Sequence, residues 1–453
     1  MSTPPIDPAD PQDPTNAGGL AEPLAPASTV AMPPPLTEDP TAAPIAAVLP
    51  AGTLTARQYA GAAWQRIRGG ETGVLPVLAG LILVSVLFQS QNSNFLTVAN
   101  LVNLLVQAAV FSLLAMAEIY ALLLGEIDLS AGYVAGLTAV VMATLARPAG
   151  AAWPWWAALL CGLLVAALIG LLQGSLITRL GLPSFVVTLA GLLFWQGVML
   201  RILGEGGSIL IQAKPINNIV AGNLSPLAGW IVMLVLVALF AVSLWRRDER
   251  RRDSGLTAPP RSFTVLKIVG ALVGGVILIL ICNADRGRAV PVMGVPYVVL
   301  LVLAVLLAWT FVLGRTQFGR YIYAVGGNAE AARRAGINLV RVRTAAFMLC
   351  SLTAGIAGVV YASRLRSIST AVDGGTLVLY AVAAAVIGGT SLFGGRGKAV
   401  HGVLGGIVIS AIYNGMGLLG FEAAVQYMVT AAVLIAAVII DAVSRRSRPA
   451  AGR

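Results

Sequence analysis

The chain has 453 residues, of which 58% are hydrophobic and only 11% are charged, and its mean hydropathy is +0.86. This composition excludes an ordinary soluble domain and predicts a polytopic protein of the lipid bilayer. The net charge of +11 does not indicate a nucleic-acid partner, because the basic residues fall in short clusters between apolar runs, as the positive-inside rule expects.

The first 72 residues differ in composition from the rest of the chain. Residues 1–50 contain thirteen of the 24 prolines, six acidic residues and no Lys or Arg. Such a segment cannot bury enough apolar surface to offset its chain entropy, so it is predicted to be a disordered tail. It also lacks the basic start and apolar core of a signal peptide. Residues 51–72, with three arginines and a tryptophan, predict a basic interfacial segment.

A domain spanning residues 73–443 contains twelve apolar runs near the length that crosses a bilayer. The runs are 73–89, 101–124, 131–146, 157–178, 184–202, 227–245, 265–282, 297–314, 345–362, 378–392, 400–420 and 425–441. They predict an all-α polytopic membrane protein with about 10–12 transmembrane helices, in which the runs at 131–146 and 378–392 are broken or re-entrant. Residues 444–453 form a basic tail, and the Lys and Arg clusters place both termini in the cytoplasm.

Two interruptions of the apolar pattern are unlike ordinary loops. GEIDLSAG (125–132) places two carboxylates between apolar runs, and GGTSLFGGRGK (388–398) has five glycines in eleven residues. Polar backbone at membrane depth is tolerated where it is buried in protein or lines a water-filled path, so both segments indicate a transport pathway. The alternative is a tight turn in which Asp128 or Ser130 caps the next helix. Both interpretations can hold together.

No catalytic constellation can be assembled from this sequence. His401 is the only histidine, and the three cysteines lie in separate apolar runs, so neither a metal site nor a catalytic triad is expected. The GGRGK segment is not a Walker A loop, because Leu392 and Ala399 occupy the places of its first glycine and its Ser or Thr. We therefore expect a non-enzymatic chain that binds no cofactor of its own.

Ionisable side chains are scarce in the apolar runs, and no series of carboxylates suggests proton coupling. A small, polar, uncharged substrate would suit a pathway lined by hydroxyls, amides and aromatic rings. The candidates for pathway residues are Glu126, Asp128, Ser130, Trp195, Gln196, Tyr380 and Asn414. For Trp195, Gln196, Tyr380 and Asn414, a contact between helices is the favoured alternative to a contact with substrate.

Residues 315–343 form the longest polar and basic break in the C-terminal half. Asn328 can cap a helix over residues 329–335, Gly336 can end it in the left-handed conformation, and Glu330 stands four residues before Arg334. A helix of seven residues is marginal in water, so we expect it to dock against a partner. The pathway is expected elsewhere, near the two glycine-rich interruptions.

Three passages together resemble the permease subunits of bacterial ABC importers for monosaccharides, the ribose/xylose/arabinose group. They are GEIDLSAGYVAG (125–136), GRYIYAVGGNAEAARRAGINLVRVR (319–343) and LYAVAAAVIGGTSLFGGRG (379–397), and the resemblance covers about residues 75–441. The family's cytoplasmic coupling helix has the pattern G-G-N-x-x-A-A-x-x-x-G-I. Gly326, Gly327, Asn328, Ala331, Ala332, Gly336 and Ile337 match it, Glu330 matches a commonly acidic place, and Arg334 lies within the same helix.

The resemblance implies the partners of the chain. It implies a separate ATPase subunit that uses ATP and Mg²⁺ and holds the coupling helix in a groove, an extracytoplasmic sugar-binding protein, and a location in the bacterial inner membrane. One coupling segment per chain argues for two permease copies per transporter. We expect a homodimer, and a heterodimer is the open alternative.

Two departures from ribose-type members shift the expected substrate. Glu126 stands where many have glycine, and Leu379 with Tyr380 stand where many have an acidic pair. These differences resemble xylose-type permeases and favour D-xylose or a related aldose. The alternatives are a secondary carrier or facilitator for a small polar solute, and a related permease for nucleosides or branched-chain amino acids.

Overall fold

We analysed a computed structural model, which describes residue 61 and residues 75–256, 258–287 and 291–446. The predicted tail at 1–50 and all but one residue of the interfacial segment at 51–72 lie outside the described residues. Most of the basic tail at 444–453 also lies outside them, because the description ends at Arg446.

Helices account for nearly all of the regular structure in the described ranges, with one pair of short strands. The helices are α1 (Leu75–Gln91), α2 (Val98–Leu123), α3 (Ala131–Ala146), α4 (Trp155–Arg179), α5 (Ser184–Leu203), α6 (Lys214–Ala221), α7 (Pro226–Asp253), α8 (Arg261–Asn283), α9 (Tyr297–Arg315), α10 (Gln317–Gly327), α11 (Ala329–Arg334), α12 (Leu339–Leu365), α13 (Gly374–Ile387), α14 (Ala399–Leu418) and α15 (Ala423–Arg446). The strands are β1 (Ser208–Leu210) and β2 (Ser367–Ser369).

The prediction of an all-α polytopic membrane protein is confirmed. Eight helices in the described residues are long and apolar enough to cross a membrane, namely α2, α4, α5, α7, α8, α9, α12 and α14. The four shorter apolar helices are α1, α3, α13 and the first part of α15. Each of the twelve predicted apolar runs overlaps one of these twelve helices. At 16 and 14 residues, α3 and α13 are only about 24 and 21 Å long, less than the roughly 30 Å of a bilayer core.

The core is built on α2 and α12, which are largely buried, whereas α7 and α8 form an exposed pair at the periphery. Helix α12 packs against α2, α3 and α4, and α14 packs against α2 and α13. Glycines bring these backbones together: a Cβ on Gly358 would overlap the Ala135 carbonyl oxygen, and one on Gly405 would overlap that of Ala384. Such close approach, rather than hydrophobic transfer, is what holds helices together in lipid.

A two-stranded antiparallel ribbon was not predicted from the sequence. Strand β1 follows α5 and pairs with β2, which follows α12, in the register Ile209 opposite Ile368. Both of these central residues are buried. Since α12 begins just after α11 and ends at β2, the ribbon and α11 lie at opposite ends of that helix.

Candidate functional site

Helix α11 has the N-terminal cap that the sequence predicted. The Asn328 side-chain oxygen accepts a hydrogen bond from the Ala331 amide at 2.9 Å, which satisfies one of the donors that a first turn leaves unpaired. The helix spans Ala329–Arg334, one residue less than predicted, because Ala335 is already its C-terminal cap.

The C-terminal end of α11 is closed by a Schellman motif. Gly336 has a φ of 81°, the left-handed conformation expected of it. The Ile337 amide donates to the Ala332 carbonyl and the Gly336 amide donates to the Arg333 carbonyl, both at 3.0 Å. The local sequence thus defines both ends of this short helix.

One face of α11 carries ion pairs between its own side chains, and the other face buries a single methyl group. The Glu330 carboxylate lies 2.8 Å from Arg333 and 3.0 Å from Arg334, and the hydrogen bonds from Arg333 and then Arg334 lower the pKa of Glu330. These side chains are exposed, whereas Ala332 is buried against the membrane domain. Helix α11 therefore offers most of its surface to a partner.

The segment just before α11 packs directly on the two glycine-rich interruptions. A Cβ on Gly326 would overlap the Leu123 carbonyl oxygen at the end of α2 and would lie 2.8 Å from the Gly395 amide nitrogen. The same Gly395 amide donates to the Leu123 carbonyl at 2.9 Å. Only glycine allows three backbones to meet this closely.

Two further contacts close this meeting point, which we call the three-way junction (residues 123–126, 323–327 and 393–397). Gly125 has a φ of 77°, and a Cβ there would lie 3.4 Å from the Phe393 carbonyl group. The Tyr323 hydroxyl donates to the Gly397 carbonyl at 2.7 Å. The sequence placed these interruptions apart from the coupling segment, whereas the structure packs all three together.

A cleft of about 380 Å³ opens beside the three-way junction. It is lined by Gly326, Gly327, Ser391, Phe393, Gly394, Gly395 and Arg396. The junction is thus accessible from the end of the molecule that carries α11.

Between α2 and α3 the chain folds back along the last two turns of α2. The Glu126 amide donates to the Ala121 carbonyl at 3.0 Å, and the Asp128 amide donates to the Glu118 carboxylate at 3.4 Å. The buried Glu126 carboxylate accepts a hydrogen bond from Arg343 in the first turns of α12 and forms an ion pair with it. This contact ties the folded-back segment to the helix that follows α11.

Asp128 and Ser130 do not cap α3 through their side chains, so that prediction is wrong. The Asp128 carboxylate instead accepts from the Ser130 amide at 3.0 Å and from the Ser130 hydroxyl at 2.6 Å. Ser130 also lies 3.0 Å from the Gln173 side-chain oxygen on α4. A cap needs the side chain to reach the next turn, but here both side chains are engaged with each other inside the core.

The remaining candidate pathway residues are spread over three helices. Trp195 and Gln196 are half-buried on α5, where the Trp195 ring packs edge-on against Phe194 with centroids 4.8 Å apart. Asn414 on α14 is buried and exchanges two hydrogen bonds with Asn100 on α2, at 2.8 and 3.1 Å. This reciprocal amide pair is the contact between helices that the sequence left open for Asn414.

Tyr380 belongs to a cluster of aromatic rings from α2, α13 and α14. Its ring centroid lies 5.4 Å from that of Phe111 and 6.0 Å from that of Tyr413, and Phe111 lies 5.8 Å from Tyr413, all in edge-to-face geometry. Such T-shaped contacts suit the aromatic quadrupole.

Charged groups border the aromatic cluster. Tyr361 and Arg364 on α12 lie within electrostatic range of Tyr413, and Asp373 lies within range of Tyr361 and Tyr380. Apart from Tyr380, the sequence analysis did not single out these residues. The available signal was the presence of tyrosines inside otherwise aliphatic runs, which is also typical of ordinary core packing.

A polytopic helical domain that exposes a capped helix beside the three-way junction fits a membrane transport permease. The family model described as "Branched-chain amino acid transport system / permease component" matches residues 100–438, well over half of the chain. The chain belongs to this family of transport permease components.

Curated relatives cover most of the chain. The xylose transport system permease protein XylH of Escherichia coli is 34% identical over 376 residues, which are 82% of this chain and 92% of the relative. The ribose import permease protein RbsC of Escherichia coli is 28% identical over 389 residues (86% and 98%), and its D-allose transport system permease protein AlsC is 29% identical over 360 residues (80% and 88%). No solved structure matches the chain significantly.

Proposed function

We propose that this chain is the transmembrane permease subunit of an ATP-driven importer for a monosaccharide, D-xylose or a related aldose. The names of the relatives support the sugar, since they transport xylose, ribose and allose. The observation that carries the proposal is α11, a capped helix whose exposed face is free for an ATPase while its flank packs on the membrane domain. The sequence itself has no Walker A loop, so ATP and Mg²⁺ belong to the partner.

The assembly follows from this division of roles. Helix α11 docks into an ATPase subunit on the cytoplasmic side of the inner membrane, where both termini of the chain also lie. A sugar-binding protein delivers the substrate at the opposite face, and a second copy of the permease completes the transporter as a homodimer.

Movement of α11 would reach the middle of the protein through the three-way junction. Helix α2 ends in the junction at Leu123 and carries Phe111 about 18 Å away, at 1.5 Å per residue. Helix α13 leads into the glycine-rich segment of the junction and carries Tyr380 about 10 Å from its end. A displacement at the junction would therefore shift two members of the aromatic cluster relative to each other.

We place the sugar pathway at this aromatic cluster, with Arg364 and Asp373 at its border. Aromatic faces suit the apolar C–H surface of a sugar, and tyrosine hydroxyls and charged side chains hydrogen-bond its hydroxyl groups. Glu126, Asp128 and Ser130 would act below the cluster, where they hold the folded-back segment in place.

Reconstitution tests the proposed function. The permease is incorporated into proteoliposomes with its cognate ATPase and sugar-binding protein, and uptake of labelled sugars is measured. We expect D-xylose uptake that requires ATP, the ATPase and the binding protein, and ATP hydrolysis that increases when the sugar-loaded binding protein is added. Sugar uptake driven by an ion gradient without the ATPase would identify a secondary carrier and refute the proposal. Uptake of a nucleoside or a branched-chain amino acid in place of sugars would refute the proposal that the substrate is a monosaccharide.

Removing one tyrosine hydroxyl separates pathway residues from packing residues. Tyr380→Phe and Tyr413→Phe keep the rings, and we expect uptake at low sugar concentration to fall about tenfold because one hydrogen bond to the substrate is lost. Thermal unfolding in detergent should be unchanged in Tyr413→Phe, whereas Tyr380→Phe should lose about 1 kcal/mol of stability because its hydroxyl also hydrogen-bonds Thr430.

Asn414→Ala is the contrasting variant. It leaves the buried Asn100 side-chain oxygen without its donor, while the Asn100 amide nitrogen keeps its hydrogen bond to the Phe95 carbonyl. We expect a loss of stability of about 2 kcal/mol, measured as a lower unfolding midpoint, with the concentration dependence of uptake unchanged. Unchanged uptake in both tyrosine variants would place the pathway elsewhere.

A further inference from the structure

A basic cleft of about 500 Å³ lies beside the end of α7. It is lined by Ser243, Arg246, Arg247, Arg250, Arg251, Ser254, Leu256 and Arg315. The last of these residues ends α9, one residue before the Thr316 that caps α10, so the cleft is at the same end of the molecule as α11. Five guanidinium groups thus share one concave surface, which we call the arginine cleft.

Acidic side chains of this hairpin do not neutralise the arginine cleft. Asp248 pairs with Arg247 at 3.0 Å and also accepts from the Thr264 hydroxyl, and Glu249 is occupied by Arg252 and Arg261 at 2.6 and 2.9 Å. Within the described residues, the other four arginines of the cleft form no ion pair: Arg246, Arg250, Arg251 and Arg315. No carboxylate in the described part of the chain balances these four arginines, so the cleft is suited to bind an anion.

The surface leading to the arginine cleft is apolar. On α7, the side chains of Leu239, Val242 and Trp245 precede the first arginine and are exposed. On α9, the Phe311 side chain is 63% exposed. Exposed aliphatic and aromatic side chains on spanning helices face hydrocarbon, and tryptophan favours the level of the lipid headgroups. The arginines thus begin where the hydrocarbon layer ends.

We propose that the arginine cleft binds the phosphate-diester headgroup of an anionic phospholipid, whose acyl chains lie against the apolar faces of α7 and α9. Guanidinium groups donate parallel hydrogen bonds that match the two free oxygens of a phosphate diester, and clusters of arginine at a membrane surface select anionic lipids. An acidic partner protein would have to present several carboxylates at the edge of the hydrocarbon layer, where burying unpaired charge is costly. The lipid supplies charge and hydrocarbon in the same molecule.

The test uses the full chain purified in detergent. Native mass spectrometry measures the Kd of the first lipid molecule that binds. Dioleoyl phosphatidylglycerol, dioleoyl phosphatidylcholine and inorganic phosphate are compared. In Arg246→Gln/Arg250→Gln we expect the Kd for phosphatidylglycerol to rise about 30-fold, because each of the two arginines contributes about fivefold. The matched control is Arg179→Gln/Arg320→Gln, which removes two exposed arginines outside the cleft and should leave this Kd unchanged.

The other outcomes overturn the proposal. Equal phosphatidylglycerol affinity in the wild type and the cleft variant would show that lipid binds elsewhere. Equal losses in the cleft variant and the control would mean that net charge alone attracts the lipid. If inorganic phosphate bound as tightly as phosphatidylglycerol, the cleft would be a site for a soluble anion. If neither of them bound, the lipid proposal would fail and an acidic partner protein would be the remaining occupant.

Discussion

Replacing Gly326 with alanine is expected to reduce ATP-driven sugar uptake by about 30-fold while the chain still inserts in the membrane. The added methyl group would overlap the Leu123 carbonyl oxygen and crowd the Gly395 amide, so α10 must move away from α2. Overpacking of this kind costs about 2 kcal/mol, which corresponds to the stated factor if coupling needs the close arrangement. Uptake and ATP hydrolysis are measured on the same proteoliposomes.

Gly327→Ala is the matched control, because the neighbouring glycine lies on the same helix and a Cβ there meets no atom within 4 Å. Alanine also favours a helix over glycine, so this variant should transport normally. Normal uptake in Gly326→Ala would show that the three-way junction does not transmit the movement of α11. Equal losses in both variants would indicate a requirement for glycine that the packing does not explain.

Replacing Arg343 with glutamine is expected to destabilise the protein and to impair uptake. The Glu126 side chain is 7% exposed and would lose its only ion pair among the described residues, whereas the Arg343 side chain is 38% exposed. Breaking a fully buried ion pair lowers the free energy of unfolding by about 3–5 kcal/mol. Because water reaches Arg343, we expect a smaller loss of about 2 kcal/mol. For a chain of this length, this corresponds to a fall of about 2 °C in the unfolding midpoint measured in detergent.

The double variant Glu126→Gln/Arg343→Gln separates a structural role from a pathway role for Glu126. It removes both charges, so the unfolding midpoint should largely recover. If uptake recovers as well, Glu126 serves to hold the folded-back segment, and if only stability recovers, Glu126 acts in the pathway. Arg341→Gln is the control, since Arg341 is exposed in the same turn and forms no ion pair in the described part of the chain. A midpoint in Arg343→Gln equal to that of the control would contradict the pairing.

The parts of the fold that depend on local sequence could be predicted. The apolar runs gave the membrane helices, because span length is set by the thickness of the bilayer. Asn328 and Gly336 predicted both ends of α11 to within one residue, because capping interactions act over only three or four residues.

The arrangement of the site could not be read from local pattern. The Glu126 and Arg343 side chains meet across 217 positions of sequence, and the rings of Phe111, Tyr380 and Tyr413 come from three helices. Periodicity does not report which helices are neighbours. The predicted cap on α3 failed for a local reason. The Asp128 carboxylate accepts hydrogen bonds from the Ser130 amide and hydroxyl two residues further on, and the capping pattern does not show which of these local partners is preferred.

The shallow seating of α11 determines which part of the coupling segment is compliant. Its one buried side chain, Ala332, contributes a single methyl group, and burying such a group is worth about 0.8 kcal/mol, barely more than thermal energy. Side-chain packing therefore anchors α11 only weakly to the membrane domain, whereas Gly326 is held by close backbone contacts. A docked partner would therefore set the orientation of α11, and its force would be transmitted to the membrane domain at Gly326.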